Sequence, residues 1–174
     1  MNKKIKKLKF TLIEITVAFG VLAILIMFLM QFLNTAQTSW NFAEKRARAY
    51  ADSRTAFDFI ERALNSVERG STVNVGTSLK FDGVRPYGKR GYGNVEFSLT
   101  GGELKLGSDS LIENVVSFNV QKTNAANSKS YVIRLVMFGS EADYDEYNEI
   151  TDADDKKEFL SQHGFCFVRL VNLQ

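Results

Sequence analysis

Along the chain the hydrophobic pattern changes period twice. Residues 10–33, FTLIEITVAFGVLAILIMFLMQFL, are apolar almost without break, with Thr11, Glu14, Thr16 and Gln31 the polar exceptions. No charge falls between Ile15 and Met30. About 20 residues at a rise of 1.5 Å span a hydrocarbon core of roughly 30 Å, so this run predicts a transmembrane helix. From Asn34 to about Arg69 apolar residues recur mostly every three or four positions: Ala36, Trp40, Ala43, Ala47, Tyr50, Phe57, Ile60, Leu64 and Val67. That is the stripe of an amphipathic helix with charges between. No proline interrupts 10–69, which predicts one helix of roughly 90 Å ending at Gly70. Its stripe is expected to face a sheet, with Ala36–Ala47 also able to meet other helices through small residues, and with Trp40 either a membrane-interface anchor or a core residue.

Beyond Gly70 the period becomes that of strands. Val95–Leu99 and Glu103–Leu106 alternate around Gly101-Gly102, a hairpin signal. Val115–Gln121, Tyr131–Phe138 and Phe165–Val171 predict three more strands, with a polar loop over Lys122–Ser130. Cys166 is expected as a small core residue of the last one. One helix followed by antiparallel strands predicts an α+β fold, the long helix packed on an antiparallel β-sheet. The chain divides into a basic leader (1–9), the membrane span (10–33), its continuation outside (34–69) and a β-rich globular domain (70–174).

Charge sharpens the two ends. Lys3, Lys4, Lys6, Lys7 and Lys9 crowd the first nine residues, while the rest carries 17 basic against 20 acidic residues. The leader lysines orient the amino terminus to the cytoplasm and the rest outward. Nothing resembles the broad basic face of a nucleic-acid binder. Residues 141–158 hold nine acids against Lys156 and Lys157. Asp143, Asp145, Glu149, Asp152, Asp154 and Asp155 are oxygen donors of the kind calcium prefers, but an EF-hand's bend glycine is missing. The competing expectation is a solvated loop followed by a short helix, capped by Thr151 and ended by Gly164. Residues 83–93, GVRPYGKRGYG, lack the order of a phosphate-binding loop. They suit an exposed loop, or a partner or DNA contact through Arg85, Lys89, Arg90 and their tyrosines. The single His163 and single Cys166 exclude a Cys/His zinc site within one chain. No serine or cysteine has an orienting set, so no enzyme activity and no cofactor are expected, calcium aside.

A carboxylate inside an apolar span is costly, about 2.5–3.5 kcal/mol at mid-depth and less near the interface. An ordinary anchor leaves Glu14 among headgroups; the alternative gives it a cationic partner. A lysine-rich leader, then Phe10-Thr11-Leu12-Ile13-Glu14, then an apolar run, resembles the amino-terminal signal of type IV prepilins and type II secretion pseudopilins. The resemblance implies cleavage between Lys9 and Phe10 by a membrane prepilin peptidase and N-methylation of Phe10. It implies pairing of Glu14 with the new amine of an adjacent subunit. Lys9 stands where the family carries glycine. The residues Arg54–Leu64, the Gly101-Gly102 hairpin and Ser110–Phe118 are similar to the minor, initiator-type (J-like) pseudopilins. The likeness therefore implies a pilin-like structural subunit in the bacterial inner membrane, with its carboxy-terminal domain periplasmic or extracellular. It implies other pilin-like subunits, membrane lipid and an inner-membrane assembly platform as partners, a role in protein transport, and a place at filament initiation or tip. The alternatives are a minor pilin binding DNA or a surface, and a plain membrane-anchored domain.

Overall fold

The computed structural model describes residues 11–67, 72–84, 92–123 and 130–172. The chain separates into two compact units, Met1–Ala43 and Glu44–Gln174. Helix α1 runs Leu12–Asn65 and contributes to both. In the first unit it is the only described element, and every described residue up to Ala43 is exposed. The expected helix end at Gly70, and the loop residues Arg85, Lys89 and Arg90, lie outside the described residues; α1 itself stops at Asn65.

The second unit is α+β. Strands β1 (Ser78–Val84), β2 (Tyr92–Thr100), β3 (Glu103–Leu106) and β4 (Asp109–Ile112) form one antiparallel sheet in sequence order. Strands β5 (Val115–Lys122), β6 (Ser130–Met137) and β7 (Phe165–Asn172) form a second. The expected single sheet is thus two. They meet at β5, where the Val115 N–H donates to Gly102 O and the Val120 N–H to Gly76 O, both at 2.8 Å. The β2–β3 turn is a two-residue loop in which Gly101 and Gly102 have φ of 61° and 80°, the doubly left-handed geometry that suits strand twist. A Cβ on Gly102 would also overlap the Tyr144 hydroxyl.

One core serves both sheets. Leu79, Phe81, Val95, Phe97, Leu104 and Ile112 from the first join Val115, Phe118, Val120, Tyr131, Ile133, Leu135 and Met137 from the second. Alternate strand residues supply it, as the period of two requires. The last turns of α1 cover it with Ala49, Ser53, Ala56, Phe57, Ile60, Ala63 and Leu64. This stripe differs from the expected one in its first half: Ala36, Trp40, Ala43, Ala47 and Tyr50 are exposed, Trp40 by 74%. Small residues, Ala49, Ser53, Ala56 and Ala63, share this buried face with Phe57, Ile60 and Leu64. Ile60 is fully buried. Ile60→Ala is expected to cost about 3 kcal/mol in denaturant unfolding, from lost transfer energy plus the cavity.

Helices α2 (Glu141–Glu149) and α3 (Ala153–His163) link β6 to β7. The expected loop over 141–150 is therefore a helix, capped by Ser140, whose hydroxyl accepts from the Asp143 N–H. Acids in its first turn favour the positive end of the helix dipole. The cap of α3 is Asp152 rather than Thr151: its carboxylate accepts from the N–H groups of Asp154 and Asp155 at 2.8 and 3.2 Å. Gly164 ends α3 as expected, its N–H donating to Leu160 O at 2.9 Å. Around Phe138 the rings of Tyr144, Tyr147 and Phe159 make a small satellite core. Cys166, expected inside, is exposed: Phe165, Phe167, Arg169 and Val171 take the inward positions of β7, and Cys166 alternates with them.

Candidate functional site

The first unit offers the most distinctive surface. One helix among the described residues is long and apolar enough to cross a membrane, and its most apolar window, with a mean hydropathy of 2.7, has nothing buried against it. Leu12, Ile13, Val17, Phe19, Phe28, Met30 and Phe32 are all more than half exposed. A continuous apolar surface of this size marks contact with lipid or with other helices, and it is compatible with a single-pass membrane anchor.

Three polar side chains at the start of the apolar run, those of Thr11, Glu14 and Thr16, bond within the run itself. The Glu14 carboxylate accepts from the Thr11 N–H at 2.8 Å and the Thr11 hydroxyl at 2.9 Å, while the Glu14 N–H faces Thr11 Oγ1 at 3.4 Å. This is a capping box, Thr-x-x-Glu, in which cap and third helical residue serve each other's orphan backbone groups. The Thr16 hydroxyl donates to Ile13 O at 3.0 Å, returning its proton to the backbone. An unsatisfied polar group in hydrocarbon costs several kcal/mol, so these bonds are compatible with a membrane position for Thr11, Glu14 and Thr16. The box was legible in the sequence as the spacing of Thr11 and Glu14, and the pattern of charges drew attention to Glu14 alone. Below it, Glu14 heads a shallow groove lined by Ile15, Ala18, Phe19 and Leu22. Lys9 and Phe10, the expected processing site, lie outside the described residues.

The second unit does not gather its acids. Asp143 is the buried one, 7% exposed, and takes a 2.7 Å bond from Lys45 Nζ on α1. Its other oxygen, Oδ2, is buried and makes no hydrogen bond among the described residues. Asp145 and Glu149 point to solvent on α2. Asp152 caps α3, Asp154 pairs with Lys157 at 2.9 Å, and Asp155 is exposed. Among the described residues no three His, Cys, Asp or Glu side chains stand close enough to hold a metal ion. The Lys45–Asp143 pair instead ties α2 to α1. Lys45→Met would leave a buried carboxylate without its cation. The expected cost is about 2 kcal/mol, since the lysine side chain remains a third exposed and solvent screens part of the loss. Adding Asp143→Leu to Lys45→Met is expected to recover most of it, which a double-mutant cycle in urea would measure.

Elsewhere Arg169 of β7 reaches Glu61 at 2.6 Å and Asp58 at 3.6 Å, a second tie between α1 and the strands. Comparison with family models, curated proteins and solved structures returns no match.

Proposed function

We propose that the chain is a pilin-like structural subunit of a type IV filament or type II secretion system, a minor pseudopilin that assembles through its amino-terminal helix. The observation that carries the proposal is the uncharged helical run from Ile15 to Met30, with nothing buried against its apolar window, entered through Thr11 and Glu14 and preceded by five lysines. The lysines hold the amino terminus in the cytoplasm of a bacterial inner membrane, and the second unit lies on the far side. A prepilin peptidase removes the leader at Lys9–Phe10, and the amine of Phe10 is methylated. The new cation on one subunit and the Glu14 carboxylate of its neighbour then attract each other in a low dielectric, which fixes their axial register. Its partners are other pilin-like chains, the peptidase and an inner-membrane assembly platform, and it serves at filament initiation or tip. Intact-mass measurement of the membrane-extracted chain tests the processing step. The expected mass is that of residues 10–174 with one methyl group; a mass beginning at Met1 contradicts it.

A second reading has its own support. The capping box gives one Glu14 carboxylate oxygen two partners inside its own helix, so the residue has a role there without a neighbour. The chain would then be a plain membrane-anchored domain, with Glu14 serving helix initiation. A calcium site on the acidic helices, and DNA or surface binding through Arg85, Lys89 and Arg90, remain proposals of lower rank because no geometry among the described residues supports them.

A further inference from the structure

The uncharged part of α1 is longer than its apolar part. Residues 15–33 are apolar but for Thr16 and Gln31, and rise about 28 Å, close to a hydrocarbon core of roughly 30 Å. The next charge, however, is Glu44. Residues 15–43 hold no Asp, Glu, Lys, Arg or His, and rise about 43 Å. That is the depth of a bilayer with both headgroup layers, roughly 40–45 Å. The first compact unit also ends at Ala43, and no described residue before that point is buried.

Residues 34–43 make the difference between those two lengths. They turn polar without turning charged, through Asn34, Thr35, Gln37, Thr38, Ser39 and Asn41. Two of their hydroxyls are returned to the helix: Thr35 Oγ1 donates to Gln31 O at 3.0 Å and Thr38 Oγ1 to Thr35 O at 2.9 Å. A hydroxyl bonded to its own backbone loses less on leaving water. Trp40 is the chain's one tryptophan, and its 74% exposure takes it out of the core. It stands seven residues past Leu33, about 10 Å along the axis, and helical side chains lean back toward the amino terminus. With the hydrocarbon edge at Leu33, its indole is brought down to a headgroup layer roughly 5–8 Å deep, where an apolar ring with a polar N–H is favoured. Just past the run, Lys45 is held by Asp143 and Arg48 by Glu44, while Arg46 is exposed with no acidic partner among the described residues.

We infer that the outer face of the membrane meets α1 between Ala43 and Glu44 rather than at Leu33, so that residues 34–43 are a headgroup-binding surface with Trp40 as its anchor and Arg46 at the lipid phosphates. The inference rests on the reading of α1 as a membrane span and adds the depth of that span. The occupant of the surface is lipid, and the step in charge is the reason. Nine of the 22 residues of α1 from Glu44 to Asn65 are charged, against none of the ten before Glu44. Charge is costly up to the edge of a bilayer and free beyond it, and long basic side chains at that edge reach its polar layer.

Fluorescence of the full chain tests the depth directly, because no other tryptophan contributes. The chain is placed in vesicles of phosphatidylcholine and phosphatidylglycerol whose acyl chains carry bromine quenchers either near the headgroup or near the chain end. Trp40 is expected to show blue-shifted emission, quenched more by the shallow bromines than by the deep ones and only weakly by aqueous acrylamide. The Ile24→Trp/Trp40→Phe variant, with its probe at the middle of residues 15–33, is expected to be quenched most by the deep bromines. Water-like emission from Trp40, quenched by acrylamide and by neither bromine while the variant still reports depth, overturns the inference and leaves the span standing. Strongest quenching of Trp40 by the deep bromines also overturns it, since the boundary then lies farther along α1. Shielding that disappears on dilution with excess lipid overturns it in favour of contact with other helices. If neither position is quenched through lipid, the membrane reading itself fails, and the inference with it.

Discussion

Under the proposed assembly, Glu14→Gln is expected to keep the amino-terminal helix intact and to lower incorporation into filaments at least tenfold. Glutamine at the third helical position still completes a capping box with Thr11, since its amide oxygen accepts the same two bonds. What the substitution removes is the charge. If the carboxylate attracts the amine of a neighbouring subunit, that attraction is lost in an apolar medium, where it is strongest. Tenfold corresponds to about 1.4 kcal/mol, a modest share of what a desolvated charge pair contributes. Glu14→Ala removes charge and cap together, and is expected to add about 1 kcal/mol of lost helix initiation. The ratio of the two variants therefore separates the roles. A filament assay in which glutamine matches wild type and alanine fails would assign Glu14 to capping, and the chain to the anchored-domain reading. Quantifying sheared filaments, with membrane levels of each variant as the control, gives the comparison.

Gly139→Ala is expected to be the most damaging small substitution in the second unit. Gly139 lies between Phe138 and the cap residue of α2, where the chain crosses α1. A Cβ there would overlap the Lys45 carbonyl oxygen and come within 2.6 Å of its carbon. The obstruction is helix backbone, which cannot turn aside as a side chain can. The segment must lift, and with it go the 2.7 Å Lys45–Asp143 bond and the seating of α2. The expected loss is about 3 kcal/mol. In a chain of this size that lowers Tm by about 10 °C. Gly93→Ala serves as the control, because no described residue lies within 4 Å of its added Cβ; a change within about 0.5 kcal/mol is expected there. Thermal unfolding followed by circular dichroism measures both.

Large-scale order was legible in the sequence, and the failures share a cause. The transition from an apolar run to helical and then strand periodicity located α1 and five of the seven strands to within a few residues. Glu103–Leu106 and the Gly101-Gly102 turn needed only alternation and two glycines. β4 was missed because four residues carry too little pattern, and β1 because its Lys80, Asp82 and Gly83 dilute the alternation of Leu79 and Phe81. α2 was missed because it buries only Asp143, so it has no apolar stripe to show. Its signal was the cap, Ser140, ahead of acids. Periodicity also weighted Trp40 and Tyr50 by size, whereas the buried face of the helix begins with Ala49, Ser53 and Ala56, small residues with little hydrophobic signal, before Phe57, Ile60 and Leu64. Cys166 was placed inside because a strand of eight mostly apolar residues does not reveal which alternate set faces the core. At the candidate site the apolar span was plain. The bond from Thr11 to Glu14 was also written in the spacing, but a lone acid in an apolar run attracts attention before its neighbour does.

The central proposal is that the amino-terminal helix assembles with those of other pilin-like chains. Gentle extraction from the native membrane, purification through this chain and mass spectrometry of whatever accompanies it is the direct measurement. The expected result is a set of companions with the same plan, a basic leader removed ahead of an apolar helix with an early glutamate, together with this chain beginning at Phe10. Recovery of this chain alone, still beginning at Met1, would contradict it.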